Sequence, residues 1–334
     1  MWKVKPVRNN NLSMLYPIKM QPAFKDYIWG GNNLIMEFGK QCSYETAAES
    51  WELSAHMNGQ STAVNGPFAG KSLSEIVEKY GKNCLGSHME GKDRFPILIK
   101  FIDSKQSLSV QVHPDDAYAL RNEGDYGKTE MWYIVQAKEG SGILCGFKKD
   151  VTKERFLESI DDDTLPDLLN WIPVKKGDSF FISPGTVHAI CEGVIIAEIQ
   201  QNSDVTYRIY DYNRKGPDNK GRILHIDKAL EVSRLTKDHY SGKPLKAPID
   251  IGGVKMTVLA QCPYFTVKEY QIPDECEMFT GEQSFQGLVF VEGSGVLLHN
   301  GIETEFKRGE TFFLPANMGK YTITGNSTAL ITEV

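Results

Sequence analysis

The sequence predicts a mainly β protein of two related barrels in tandem, decorated by a few peripheral helices. Three observations lead there. Short β-rich segments separated by turn residues recur through a chain of 334 residues. Helical periodicity is confined to a few stretches. A turn-and-strand pattern between residues 139 and 184 comes back between 292 and 315.

The strands expected are Ile97 to Ile102, Leu108 to His113, Glu130 to Gln136, Asp178 to Ser183, Val194 to Gln200 and Val205 to Tyr210. Each is rich in apolar residues and bounded by Gly, Pro, Asp or Asn, the pattern of a barrel or sandwich. Apolar residues at helical spacing occur in Leu73 to Tyr80, Thr152 to Trp171 and Ile226 to Leu235, which read as decorations around the sheets. In the repeat, Glu139-Gly-Ser-Gly142 returns as Glu292-Gly-Ser-Gly295, and Lys175-Lys-Gly-Asp-Ser-Phe-Phe-Ile-Ser-Pro184 returns as Lys307-Arg-Gly-Glu-Thr-Phe-Phe-Leu-Pro315. Each basic-Gly-acidic turn feeds an apolar strand that stops at proline. Coincidence among common turn residues is the plain alternative; two matches in the same order favour duplication. Lys243 to Pro248 has the composition of a linker. The expected domains are therefore 1–245, with the helical decorations, and 246–334.

Composition excludes several classes. With 41% hydrophobic and 24% charged residues the chain is ordinary for a globular protein. It holds no apolar run of bilayer length, so no membrane association is expected. A formal net charge of -6 gives no basic field for nucleic acid. Residues 1–11 are polar and basic without the apolar stretch of an export signal, so a cytoplasmic location is expected. The six cysteines lack the short paired spacings of a disulfide framework or a thiolate zinc site.

Side chains alternate along a strand, so Ser109, Gln111 and His113 face one way while Leu108, Val110 and Val112 face the other. Taken alone, each polar residue has an ordinary explanation. His113 could be a satisfied strand histidine, Pro114-Asp115-Asp116 only a turn, and Glu130 a strand terminus facing water. Placed together at strand ends with His188, they form a nitrogen and oxygen donor set that suits a divalent first-row ion, zinc above all. No histidine stands at the place of His188 in the second copy, around Pro315-Ala-Asn-Met-Gly-Lys320, and His299 is isolated beside Asn300-Gly301. The second domain is expected to be degenerate and metal-free.

The segments Trp29-Gly-Gly31, Ala48-Glu-Ser-Trp-Glu52, Pro96-Ile-Leu-Ile-Lys100, Leu108-Ser-Val-Gln-Val-His-Pro-Asp-Asp116, Lys128-Thr-Glu-Met-Trp132, Pro184-Gly-Thr-Val-His-Ala189 and Ser203-Asp-Val-Thr-Tyr-Arg208 closely resemble the type I phosphomannose isomerases, in their shorter bacterial form. These belong to the cupin superfamily of jelly-roll-like barrels. The resemblance covers roughly residues 17 to 215. It implies one zinc per chain held by Gln111, His113, Glu130 and His188, and isomerisation of mannose 6-phosphate to fructose 6-phosphate through an enediol.

By position it also implies Arg208 as the active-site arginine and Trp29, Glu49, Lys100, Ser109 and Lys128 as lining for the sugar phosphate. Glu198 and Asp204 fall where the family carries acids near that arginine. Glu198, which strand alternation can aim inward beside Gln200, is the candidate proton shuttle. Lys100 reads equally well as a snorkelling strand lysine. A monomer is expected. Three departures from the family stand out: a long helical insertion is absent, Ile190 replaces an aromatic residue, and Arg214 replaces a lysine. Rival readings are another metal cupin enzyme, such as a glucose 6-phosphate isomerase or an oxygenase, and a sugar-phosphate sensor.

Overall fold

Strand alternation in the middle of the chain sorts side chains onto the two faces of a five-stranded antiparallel sheet. Its order is Leu169–Pro173, Gly142–Phe147, His188–Ile190, Val110–Val112, Tyr207–Tyr210. Val110, Val112, Leu144, Phe147, Ala189 and Ile209 point to one side, where Phe156, Ile160, Leu165 and Ala229 from the helices cover them. Their strand neighbours Ile143, Cys145 and Ile190 point to the other side. There they meet Trp132, Ile134, Phe180, Ile182, Val194 and Ile196 of a second sheet. That sheet runs Ser179–Ile182, Glu130–Ala137, Val194–Gln201 and on to the strand containing residues 101–104. Two facing sheets with an apolar layer between them make the jelly-roll packing of a mainly β protein.

A computed structural model describes residues 15–216, 219–240 and 242–334. Residues 1–11, read above as lacking an export signal, lie outside the described residues. By packing, the chain divides into two units, and neither is a single stretch. One takes Lys25–Glu49 and Phe101–Lys243; the other takes the described residues up to Phe24, Ser50–Lys100 and Pro244–Val334. The last crossover, at 243/244, lies beside the boundary expected near 245. Consecutive domains 1–245 and 246–334 nevertheless differ from this division, because Ile18–Gln21 pairs with Thr311–Leu314, Ile18 opposite Phe313. Pairing between the two ends of a chain leaves no signal in local composition.

In this second unit the strands run Ile249–Ile251, Val254–Gln261, Thr266–Ile272, Ser327–Glu333, Gln286–His299, Thr311–Leu314, Ile18–Gln21, Thr62–Ala63, and Gly319–Thr324 pairs with both Gln286–His299 and Glu275–Thr280. Leu288, Phe290, Leu297, Phe306, Phe312, Leu314, Tyr321 and Ile323 fill its interior. The rings of Phe290 and Phe306 stack face to face.

Three expected helices differ in extent from the sequence reading or match it for visible reasons. Leu73–Tyr80 forms as expected, started by a reciprocal Ser72 and Glu75 capping box and stopped at Gly81, whose φ of 79° no β-carbon favours. The stretch Thr152 to Trp171 is not one helix. Thr152 caps Lys153–Asp161, Asp163 then takes a left-handed φ of 58°, and after the short helix Leu165–Leu168 the chain becomes the strand Leu169–Pro173. The helix from Ile226 ends at Val232 rather than Leu235, because Ser233 is extended. Among the described residues no helix is long and apolar enough to cross a membrane.

Candidate metal centre

The apolar layer between the two sheets stops short of one end, and polar side chains take over there. Along the Glu130 strand, Trp132 and Ile134 face the apolar layer, so Glu130 faces the same way one step further out. Along its neighbour, Glu198 lies opposite Trp132 and Gln200 opposite Glu130. In the five-stranded sheet, Val110 and Val112 point outward, which turns Gln111 inward. Gln111 is opposite His188 on one side and Arg208 on the other, so the three share a face as a lateral row. His113 follows immediately after the strand Val110–Val112 and is buried.

His113, Glu130 and His188 converge, with one donor atom from each within 4.8 Å of the others. Nε2 of His188 lies 3.3 Å from Oε1 of Glu130, and Nε2 of His113 lies 3.6 Å from Oε2. The second nitrogen of each ring fixes what the first can do. Nδ1 of His188 is 2.9 Å from the Thr186 carbonyl, and Nδ1 of His113 is 2.9 Å from the Val205 carbonyl. A carbonyl only accepts, so both Nδ1 atoms carry the proton and both Nε2 atoms present lone pairs. Burial pushes His188 down to about 4, so its ring is neutral. Its Nε2 is buried and makes no hydrogen bond.

Lone pairs aimed at a buried carboxylate repel it unless a cation lies between them. Two donors each about 2.0–2.1 Å from one ion in tetrahedral geometry sit about 3.3 Å apart, close to the spacings found here. The donor set therefore fits a divalent ion such as zinc. The ammonium of Lys128 already marks this point as one that draws positive charge. It lies 2.7 Å from Glu130 Oε2, 3.2 Å from His113 Nε2 and 3.5 Å from Glu198 Oε1. The other oxygen of Glu198 accepts the indole N–H of Trp132 at 2.7 Å.

Arg208 donates from Nη1 to the Ile223 carbonyl at 2.9 Å, while its Nε is buried without a hydrogen bond. Burial, then the nearby charge of Arg222, lower its affinity for the proton. Beyond it, Asp211 receives both Arg214 and Arg222, the latter through Nε at 2.7 Å. Burial raises the Asp211 carboxyl, but hydrogen bonds from Arg222 and Arg214 outweigh it and hold the group below its usual range. Arg214 and Arg222 on one carboxylate leave one positive charge uncompensated, and the charge of Arg208 lies near them. Arg222 was missed in the sequence, where a lone Gly-Arg after a turn carries no pattern. The run Asp211-Tyr-Asn-Arg214 with a second arginine beyond the turn was the only available hint.

The remaining expected residues are distributed differently. Ser109 is buried two residues before Gln111, in line with a shared face. Trp29 is buried in the apolar layer among Ile102, Ile134 and Ile196. Its motif also has a packing reason: a β-carbon on Gly31 would meet Asp103, which binds the Asn33 backbone and side chain. Glu49 and Lys100 are buried, and Asp204 is exposed.

Comparison with known proteins follows the same lines. Residues 17–150 match the phosphomannose isomerase type I catalytic domain, and residues 255–333 match the mannose-6-phosphate isomerase cupin domain. The chain is 36% identical to the mannose-6-phosphate isomerase ManA of Bacillus subtilis, over 95% of this chain and 99% of that one. A crystal structure of the mannose 6-phosphate isomerase from Bacillus subtilis superposes with a TM-score of 0.87 at 37% identity, covering 95% of this chain and 99% of that one. A mannose 6-phosphate isomerase bound with zinc and yttrium shares the fold, with a TM-score of 0.75 at 18% identity and coverage of 95% and 99%.

Proposed function

Because the chain belongs to the phosphomannose isomerase type I family and is thereby a mannose-6-phosphate isomerase, we propose that it works with one zinc ion per chain and through an enediol. The observation that carries this reading is the pair of imidazole lone pairs, on His113 and His188, aimed at the Glu130 carboxylate. Gln111, on the same face as His188, is the fourth protein ligand. The zinc found with a distant structural neighbour is in keeping with this donor set. When bound, the ion supplies Lewis acidity to the carbonyl of the open-chain sugar.

The protein's own groups do the rest. Isomerisation takes a proton from C2, returns one to C1, and moves a hydroxyl proton from O2 to O1. Glu198 is the base that carries the carbon-bound proton: Trp132 fixes one of its oxygens and leaves the other 3.5 Å from the Lys128 ammonium. Arg208 stays protonated and meets the negative charge that develops on oxygen in the enediol. Arg214 and Arg222, which keep one net positive charge after Asp211, grip the phosphate. Trp29, Glu49, Ser109 and Lys128 complete the lining in this reading. Catalysis by a cytoplasmic monomer is part of the same proposal, to be checked by light scattering and cell fractionation.

The test is a coupled assay of fructose 6-phosphate formation from mannose 6-phosphate, with chelator and then with zinc restored. Loss of turnover with chelator and its return with zinc is the expected result. Full turnover in thoroughly chelated protein would overturn the metal-dependent reading.

A further inference from the structure

The second unit has an open end of its own, and strand register places it where the metal centre lies in the first. Glu130 is opposite Ile182 and Trp132 opposite Phe180; in the same pattern Gln286 is opposite Leu314 and Leu288 opposite Phe312. Gln286 is thus the counterpart of Glu130. On the third strand of each set, Gln200 is opposite Glu130. Thr332 is opposite Gly287, which puts Glu333 one step on, beside Gln286. At this end a cleft of about 720 Å³ opens, lined by Phe279, Thr280, Glu282, Asn317, Glu333 and His88 among others. All of these residues belong to the one unit.

The polar lining residues Glu333 and Thr280 are hydrogen-bonded to side chains outside the lining. The amide of Gln286 donates to Glu333 Oε1 at 2.8 Å, and its carbonyl accepts from the Tyr321 hydroxyl at 2.6 Å and from Thr280 at 3.3 Å. Lys268 holds the other oxygen of Glu333 at 2.8 Å. A carboxylate offers about four lone-pair sites, so Glu333 retains acceptor capacity after both contacts. Above it, the ring of Phe279 is 62% exposed at the end of its strand, an apolar face unusual for so open a position. Glu282 and Glu333 are side-chain carboxylates of the lining, facing the imidazole of His88, and Lys268 offsets the charge of Glu333, so the lining offers acceptors without a net positive charge. Such a lining disfavours a phosphate and favours hydroxyl donors.

We propose that this cleft binds an uncharged polyhydroxylated molecule, a sugar or a polyol, with hydroxyls donating to Glu333 and an apolar ring face resting on Phe279. The site is separate from the isomerisation reading and does not depend on it. Saturation-transfer NMR with D-mannose on the full chain tests it, in the presence of the equilibrium mixture of mannose 6-phosphate and fructose 6-phosphate to occupy the first site. The expected result is a mannose signal that survives the sugar phosphates and falls about tenfold or more in Phe279→Ala and in Glu333→Gln. Both variants keep full isomerase turnover, which also shows that they fold. Three outcomes overturn the proposal: no transfer to mannose in the unaltered protein, loss of the signal when the sugar phosphates are added, or an undiminished signal in both variants.

Discussion

At one end the two units share a three-strand register and differ in what fills it. In the first, the position opposite Ile182 holds Glu130, a carboxylate facing two imidazole lone pairs. In the second, the position opposite Leu314 holds Gln286, a neutral amide whose oxygen and nitrogen are both occupied by Tyr321, Thr280 and Glu333. Deeper in, the first unit gives Glu198 and Trp132 to a polar contact, while its counterpart strands give Leu288 and Ile331 to an apolar core. Register fixes where a side chain sits; charge and lone-pair bookkeeping at that point decides whether it holds an ion or a closed hydrogen-bond network.

Exchanging the two positions is the sharpest way to break this comparison. Glu130→Gln makes the first unit resemble the second, and zinc content measured by atomic absorption should fall to near zero with turnover down by at least about 100-fold. His113→Ala should behave in the same way. A zinc-loaded, active form of either variant would contradict the ligand assignment. Arg208→Ala should lower turnover about 100-fold, the usual loss for one electrostatic donor, while zinc stays bound. Arg222→Ala should raise KM for mannose 6-phosphate roughly tenfold, as expected for one lost charge-assisted contact, with a smaller change in kcat. Equal KM values in steady-state assays would remove Arg222 from phosphate binding.

The reciprocal exchange has the smallest effect on catalysis. Gln286→Glu sets a second carboxylate against Glu333 without adding an imidazole, so the variant should gain no metal and keep its turnover. Thermal unfolding should show a loss of about 1 kcal/mol from the partly buried pair of like charges. A second equivalent of zinc in this variant, absent from the unaltered protein, would show that the residue at this position decides whether this end takes a metal.

The convergence of His113, Glu130 and His188 was legible in sequence because it rests on local rules. Alternation turned Gln111 inward against Val110 and Val112, and the order Gln, His, Glu, His at strand ends gave the donor types. Resemblance to a family then tied them to one point. What was hidden depends on contacts between distant segments. The strand Gly142–Phe147 was unmarked, since an apolar run with one inner and one outer face has no polar alternation to reveal it. The helix Asp116–Asn122, capped by Asp115, was not expected from sequence. Arg222 gained meaning only through Asp211, eleven residues earlier across a turn. The repeat was visible in turns and prolines, but the pairing of Ile18–Gln21 with Thr311–Leu314 was not.

The central claim is that paired imidazole lone pairs and one carboxylate hold the ion that the isomerisation uses. X-ray absorption at the zinc edge of the purified, zinc-loaded protein tests it most directly, because six free cysteines offer a real alternative ligand set. The account predicts a shell of nitrogen and oxygen at about 2.0–2.1 Å with imidazole scattering, diminished in His188→Ala. Sulfur at about 2.3 Å, or a shell unchanged by that substitution, would contradict it.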